Sequence, residues 1–582
     1  MVNSKMVNSI KLISLSLLVT CHLSLVTTPL FGQVELNQLG FYSKAPKKAA
    51  VIANPDVKAF SIVTDKGKEV YKGKLSEPAQ SKNSSLTVCQ ADFTKFTKPG
   101  NYRLVAGKEE SSVFTIGNDV LNSVAKAVLK GFYYQRVSEP LEAKYAGRWA
   151  RPAGHPDTTV LIHPSAATQQ RPAGTVISTP GGWYDAGDYN KYIVNSGITT
   201  ATLLSAYEDF PQYFKKLDVN IPETGNGIPD LLNETLYNLR WMLTMQDPND
   251  GGVYHKCTNA AFDGMVMPGV TKAPRYVVQK NTAAALDFTA VMAQASRIFS
   301  KFTKELPGLA DSCLQAAKQS WNWALQNPNV LYNQFAMNKQ FEPAITTGAY
   351  GDRSVSDEWF WAASEMYAAT LEAQYKTKVK EYLTDKWQLP GWGQVYMLGV
   401  YTLLRVKEPE FTPDFTKKLL EMADNFVNSI PTNAFGVVMG ENRSDFEWGS
   451  NSVAANQGIL LIQAYRLTND KKYLDAALGN ADYLLGRNAT GYCFVTGSGS
   501  KSVMHPHHRP SVADGIDDPV PGLLSGGPNP GMQDRCKYPF TEPETAYLDS
   551  SDSYASNEIA INWNAPAVYL FNAIEAEQGS WK

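Results

Sequence analysis

Leu232-Asn233-Glu234-Thr235-Leu236-Tyr237-Asn238-Leu239-Arg240-Trp241-Met242-Leu243 spaces its leucines four, three and four residues apart. That period puts all four on one face of an α-helix, the pattern of a helix with one buried side. The same period predicts helices over 281–299, 309–326, 357–373, 391–406, 415–429, 452–467 and 472–485. A last helical stretch begins near Asn557 and carries Ala560, Ala565, Ala567 and Leu570. Pro566 is expected to kink it or to open a separate helix. Many sequential helices without a short repeat predict a helical toroid, and not a solenoid, with its site at one end.

Upstream of Asn118 the pattern differs. Short apolar runs at 47–53, 59–64 and 102–105 are separated by Asn54-Pro55, Asp65-Lys-Gly67 and Lys98-Pro-Gly100. About seven short strands in this span predict an immunoglobulin-like sandwich. The first residues read as a targeting segment: Lys5 and Lys11 precede an apolar stretch, Ile13 to Val26, too short and too interrupted to span a bilayer. The expected division is a signal peptide at 1–32, a β-sandwich at 33–117 and a helical catalytic domain at 118–582. A secreted or periplasmic protein follows, with a lipid anchor at Cys21 as the alternative.

A formal net charge of −2, 43% hydrophobic and 19% charged residues describe a globular protein without the basic excess that nucleic acid calls for. Twelve Trp and 29 Tyr suit a cleft that stacks sugar rings. Six scattered cysteines form neither a disulfide framework nor a C-x-x-C zinc pattern.

Three segments carry chemistry. Gly181-Gly182-Trp183-Tyr184-Asp185-Ala186-Gly187-Asp188 sets two carboxylates among glycines and aromatics, a pair able to hold a water and remove its proton. The competing reading is a helix cap. Tyr554-Ala-Ser-Asn-Glu558 places a carboxyl among apolar neighbours, which raises its pKa and suits a general acid; a structural helix residue is the competitor. His505-Pro506-His507-His508-Arg509 suits hydrogen bonding to hydroxyls, while metal binding or a plain surface turn are the other readings.

In their order these pieces resemble glycoside hydrolase family 9, the inverting cellulases. The pattern aromatic-x-Asp-x4-aromatic-x3-Glu-x-Ala-x3-Asn-Ala is complete from Tyr547 to Ala565, and the His loop matches at Val495, Gly499, Lys501, Pro506-His507 and Arg509, departing at Cys493. The resemblance implies a mainly α fold, an (α/α)6 barrel preceded by the small sandwich. It implies Asp188 as base, Asp185 as its partner on the water, Glu558 as acid, and His507 and Arg509 as substrate-binding residues. Tyr184 and Trp563 are the aromatic candidates for contacting sugar. The chemistry requires no cofactor. Some relatives hold zinc through cysteines where this chain reads Gln135-Arg136-Val137 and Gly154-His155, so that site does not carry over. Some bind calcium at an Asp-Glu pair opening a helix, which Asp357-Glu358 resembles; acids complementing a helix N-terminus are the equal alternative.

The expected activity is endo-acting hydrolysis of β-1,4-linked glucan by inversion, by a monomer whose partner is its polysaccharide or oligosaccharide substrate. Exo action on cellodextrins, xyloglucan preference and a non-catalytic glycan-binding role are the alternatives. The last would be expected to lack a carboxylate that this chain retains.

Overall fold

The computed structural model describes residues 33–52 and 56–581. The signal-peptide reading and Cys21 lie outside them. Among the described residues, ten short strands lie between Gln33 and Gly117, more than the seven expected, because several are only two or three residues long. They form two sheets. One orders Gln33–Glu35, Lys48–Ile52, Thr87–Asp92 and Ala79–Gln80. The other orders Gly40–Tyr42, Phe114–Gly117, Gly100–Ala106, Ala59–Thr64 and Glu69–Lys74, with Glu109–Glu110 on its flank. Alternation decides which face is inside: in Ala59–Thr64 the side chains of Phe60 and Ile62 are buried and their neighbours partly exposed. Phe41 meets Phe93 and Phe114 edge-on between the sheets.

Twelve helices of nine residues or more follow among the described residues. They are α1 (Asn122–Tyr134), α2 (Ile193–Asp209), α3 (Asp230–Thr244), α4 (Thr282–Phe299), α5 (Leu309–Gln326) and α6 (Ser356–Thr370). Then come α7 (Ala373–Glu381), α8 (Tyr396–Arg405), α9 (Thr412–Ser429), α10 (Ser450–Thr468), α11 (Lys471–Leu484) and α12 (Ile561–Glu577). Along the inner ring α2 packs on α4, α4 on α6, α6 on α8, and α10 on α12, which closes back on α2. The sequence separates the two rings. In α2, Asn195, Ser196, Thr199 and Thr200 are buried along with its apolar residues, as an inner helix requires. In α9 the buried Phe415, Leu419 and Ala423 recur every four residues, the single stripe of an outer helix. The molecule is an (α/α)6 barrel with an N-terminal immunoglobulin-like domain.

Three details depart from expectation. The chain between the helices holds a small sheet that joins Val176–Ile177, Val160–Ile162, Arg275–Val277, Lys256–Asn259 and Lys191–Tyr192 in that order. Strands so short, drawn from distant segments, leave no period in the sequence. The 357–373 stretch ends at Thr370, where Leu371 turns left-handed (φ 59°), and a separate helix starts at Ala373. The final helix does not begin near Asn557. A four-residue turn, Tyr554–Asn557, stops there, Glu558 is extended, and α12 starts at Ile561 and runs through Pro566.

The sandwich is fastened to the barrel by buried polar contacts. Asn37 Nδ2 donates to Asp482 Oδ1 (2.8 Å), Tyr42 Oη to Glu575 Oε1 (2.5 Å) and Asn83 Nδ2 to the Gly440 carbonyl (2.7 Å). The Tyr42 ring stacks on Trp581 at 5.3 Å.

Candidate active site

The two carboxylate segments are far apart in sequence and joined through their backbones. Ile561 N–H donates to the Asp185 carbonyl (2.8 Å), and Ala186 bridges Ala560. His507 bridges Glu558, its N–H bonding the Asn557 carbonyl at 2.9 Å, and Gly526 N–H bonds the Glu558 carbonyl at 2.8 Å. Glu558 is thus held in extended backbone between the glycine-rich box, the His loop and residues 525–527. Only glycine fits at Gly187, since a Cβ there would stand 2.1 Å from the His507 carbonyl oxygen.

Asp185 and Asp188 cap no helix; both lie in the irregular chain before Lys191–Tyr192 and α2. Asp185 is buried, and it accepts from Asn195 Nδ2 (2.5 Å) and Tyr350 Oη (2.7 Å). Burial, and then the neighbouring Asp188 charge, push its pKa up to about 8. Asp188 Oδ2 accepts from Asn190 Nδ2 and Tyr192 Oη, the latter at 3.3 Å, while Oδ1 takes no hydrogen bond from the described residues. That leaves one oxygen of a fixed carboxylate for a ligand. Glu558 is driven well above the usual carboxyl range, first by burial and then by Asp188 and Asp185. A carboxyl with a raised pKa thus lies near a carboxyl that keeps one oxygen free of hydrogen bonds, the pairing that acid and base work requires.

The His loop is pinned by the acid segment. Asp549 accepts the N–H groups of Met504 (2.9 Å) and His505 (2.8 Å), and also takes Asn557 Nδ2 (3.0 Å). His507 Nδ1 bonds the Ser551 carbonyl at 2.6 Å, and burial lowers its pKa. Arg509 bonds two carbonyls, Nη1 to Gly187 (2.7 Å) and Nε to Asp263 (2.9 Å). It therefore ties the carboxylate box to the loop at 260–274. Tyr184 is 1% exposed, with its hydroxyl 2.9 Å from His155 Nδ1, so it lies beneath the box and presents no ring face. Trp563 is packed between Gly449 and Gly526 and barely reaches the surface. Two exposed aromatics lie beside the loop: Trp448 packs on Tyr554 at 5.4 Å, with Tyr554 in turn 6.0 Å from His507, and Phe262 lies 5.7 Å under the Arg509 guanidinium.

Several residues of this site carry no signal in the sequence. Lys256 is buried under the box and donates to Gln334 Oε1 (2.6 Å), Thr347 Oγ1 (3.1 Å) and the Gly348 carbonyl (2.7 Å). Burial brings its pKa down to about 7, opposed by the Asp188 charge. Gln135 joins two of the motifs: Nε2 donates to the Ala186 carbonyl (3.0 Å) and Oε1 meets His508 Nε2 (3.0 Å). Next to it, Val137 packs with Tyr184 and Tyr189 where the zinc cysteine of the resembling pattern would stand. A lone Lys or Gln outside any motif offers nothing to find it by.

Asp357 and Glu358 open α6 as expected, and they have company. Asp287 on α4 and Asp352 lie within electrostatic reach of both. Both oxygens of Asp287, both of Glu358 and one of Asp352 are buried without a hydrogen-bond partner, and no Lys or Arg pairs with the four among the described residues. Asp357 Oδ2 accepts the Val395 N–H at 2.9 Å. Among the described residues no three such side chains are already gathered as a metal cluster.

The profile of glycosyl hydrolase family 9 matches residues 122–571, and that of the cellulase N-terminal ig-like domain matches 31–111. The xyloglucan-specific endo-beta-1,4-glucanase of Bacteroides ovatus is 47% identical over 552 residues, covering 93% of this chain and 94% of that protein. Endoglucanase D of Acetivibrio thermocellus is 33% identical, covering 92% and 82%. A solved Bacteroides ovatus GH9 structure superposes with a TM-score of 0.89 at 46% identity, covering 94% of this chain and 99% of that one.

Proposed function

The chain belongs to glycosyl hydrolase family 9, and from that premise we propose which of its groups act and on what glucan. It is a glycoside hydrolase that cleaves β-1,4-glucosidic bonds, an endo-β-1,4-glucanase. Asp188 is the base that takes a proton from water as it attacks the anomeric carbon. Asp185 holds the same water, and Glu558 gives its proton to the departing glycosidic oxygen. His507 and Arg509 position the sugar, and Trp448 and Tyr554 supply its stacking surface. The observation that carries this reading is the contrast between Glu558, partly buried and with its pKa driven up by desolvation, and Asp188, with one oxygen free. Direct attack by water inverts the anomeric centre. Proton NMR of the first product should show the α-anomer, and a β-anomer formed first contradicts the mechanism. Asp188→Asn and Glu558→Gln should each cost roughly 10²–10⁴-fold in kcat with the fold retained.

The preferred substrate is xyloglucan. What supports this is the 47% identity to a xyloglucan-specific enzyme over nearly the whole chain. Comparing turnover of xyloglucan, mixed-linkage glucan and cellohexaose tests it; a preference for cellohexaose from the chain end would favour the exo-acting alternative. The protein is exported by residues 1–32 and works as a monomer, with 33–117 as a supporting sandwich and 118–582 as the catalytic domain. No helix among the described residues is long and apolar enough to cross a membrane.

The chemistry needs no cofactor. Calcium is the ion proposed for the acids around Asp357-Glu358, because hard oxygens suit it and the orphaned acceptors call for a cation or for protons; the side chains would have to draw together to hold it, since no three of them stand gathered among the described residues. Its part would be to hold α4 and α6 together.

A further inference from the structure

At the junction of the sandwich and the barrel lies a cavity of about 680 Å³, which none of the catalytic candidates lines. Lys48, Tyr71 and Asp92 come from the sandwich, and Asp475, Gly479 and Asp482 from α11. Arg487 contributes to its lining. Buried Gly436 and Gly479 border the cavity without side chains. Lys95 and Lys472 at the lining are exposed to solvent, whereas Arg487 and Asp482 are buried.

Asp482, Asp475 and Asp92 already accept from Asn37 (2.8 Å), Trp581 (2.7 Å) and the Thr94 N–H (2.9 Å), but Arg487 and Lys48 are not satisfied by their neighbours. Arg487 is 3% exposed, yet its Nε has no hydrogen-bond partner. Its Nη2 makes only long contacts, 3.3 Å to the Gly479 carbonyl and 3.4 Å to Asp482. Lys48 forms no ion pair among the described residues, and burial and the Arg487 charge both lower its pKa. A buried guanidinium nitrogen without an acceptor is costly, and a native structure normally supplies one.

We propose that this cavity is a second glucan site, which takes one or two neutral glucosyl residues at the end of a β-glucan chain. The choice of ligand rests on the functional reading above and on the lining. Arg487 and Lys48 offer donors only, and Asp92, Asp475 and Asp482 accept when ionised. A hydroxyl that accepts from one set and donates to the other satisfies both, whereas an anion would face three carboxylates. Tyr71 supplies an aromatic face, and the volume falls in the range of small-molecule pockets. Occupancy would bridge the sandwich to the barrel and hold substrate close to the enzyme without touching its chemistry.

Gly479 gives a plug. It lies in α11 with ordinary helical backbone, and a Cβ there meets nothing nearer than Arg487 Nη2 at 3.3 Å. Gly479→Gln extends a side chain into the space. The experiment titrates cellotetraose calorimetrically into the full chain carrying Glu558→Gln, which binds without cutting. Two sites per chain are expected, falling to one when Gly479→Gln is added, and Tyr71→Ala should weaken the second site alone by several-fold. A single site in the unplugged enzyme, or two sites that survive the plug, overturns the proposal. Failure of the functional reading looks different: the enzyme with Glu558 intact would then not hydrolyse β-glucan at all, and the choice of ligand falls with it.

Discussion

Arg136 is the place where a single substitution should cost most outside the reacting groups. Its side chain is 0% exposed and faces three carboxylates: Glu234 (2.8 Å, 1% exposed), Glu223 (2.9 Å) and Glu139 (2.9 Å), the last two about one-third exposed. Burial alone would lower its pKa, but Glu234 and then Glu223 hold it far above the ordinary value. Arg136→Met strips the buried Glu234 of its counter-charge and leaves it the Trp183 Nε1 bond at 2.9 Å. Removing one partner of a buried pair costs about 3–5 kcal/mol, most of it the penalty of the stranded charge. With an unfolding entropy of about 2.1 cal/mol/K per residue over roughly 450 residues, the melting temperature should fall by ~3–5 °C. Differential scanning calorimetry of the full chain measures it. Adding Glu234→Gln removes the stranded charge, so the double variant should regain a good part of the loss, a coupling of about 1–3 kcal/mol. If Arg136→Met melts with the wild type, or if the two substitutions simply add, the stranded-charge argument is wrong.

Three further outcomes are expected. The acid works protonated, so kcat/KM should hold while pH stays below the raised pKa of Glu558 and fall as pH climbs through it; Arg509→Gln removes a cation that lowers that pKa, so the basic limb should move to higher pH, and a shift downward would contradict the assignment. Without calcium, Asp287, Asp352 and Glu358 have folded-state pKa values raised above the unfolded ones, with Asp352 pushed from 3.8 to about 7 by burial and then by Asp357, so its contribution to stability is present below pH 3.8 and lost as pH rises through 7. Melting curves in chelator should show that decline and added calcium should abolish it; curves that calcium leaves unchanged would remove the calcium reading. Deleting 33–117 should lower the melting temperature by uncovering Trp581, Glu575 and Asp482, yet leave kcat of the folded enzyme at low temperature unaltered, because no group of the site comes from the sandwich.

The three carboxylates were legible because they stand inside short, ordered motifs whose glycines and aromatics have local reasons to be there. Asp549 shows the limit of such reading. Its place in the motif was visible, but its work, holding the His loop by two backbone N–H groups, was not. Tyr184 shows the opposite error: a tyrosine beside a catalytic box reads as a sugar contact, and packing put it underneath. Lys256, Gln135 and Tyr350 reach the site only because the barrel closes, and no spacing along the chain encodes a contact across 50 to 370 residues.

By itself the sequence determined the two-part architecture, through a hydrophobic period that changes near Asn118. It also determined the acid and base candidates, through motif chemistry that is local. Tertiary structure alone decided how the carboxyls differ. Asp185 and Glu558 rise in pKa because the fold removes water from them and sets them near one another, and desolvation is a property of the packed surroundings. Desolvation raises Asp287, Asp352 and Glu358 in the same way, and it lowers the pKa of Arg487 at the domain junction. Each is an ordinary surface residue in the sequence, and becomes an unmet electrostatic demand only when distant helices bury it.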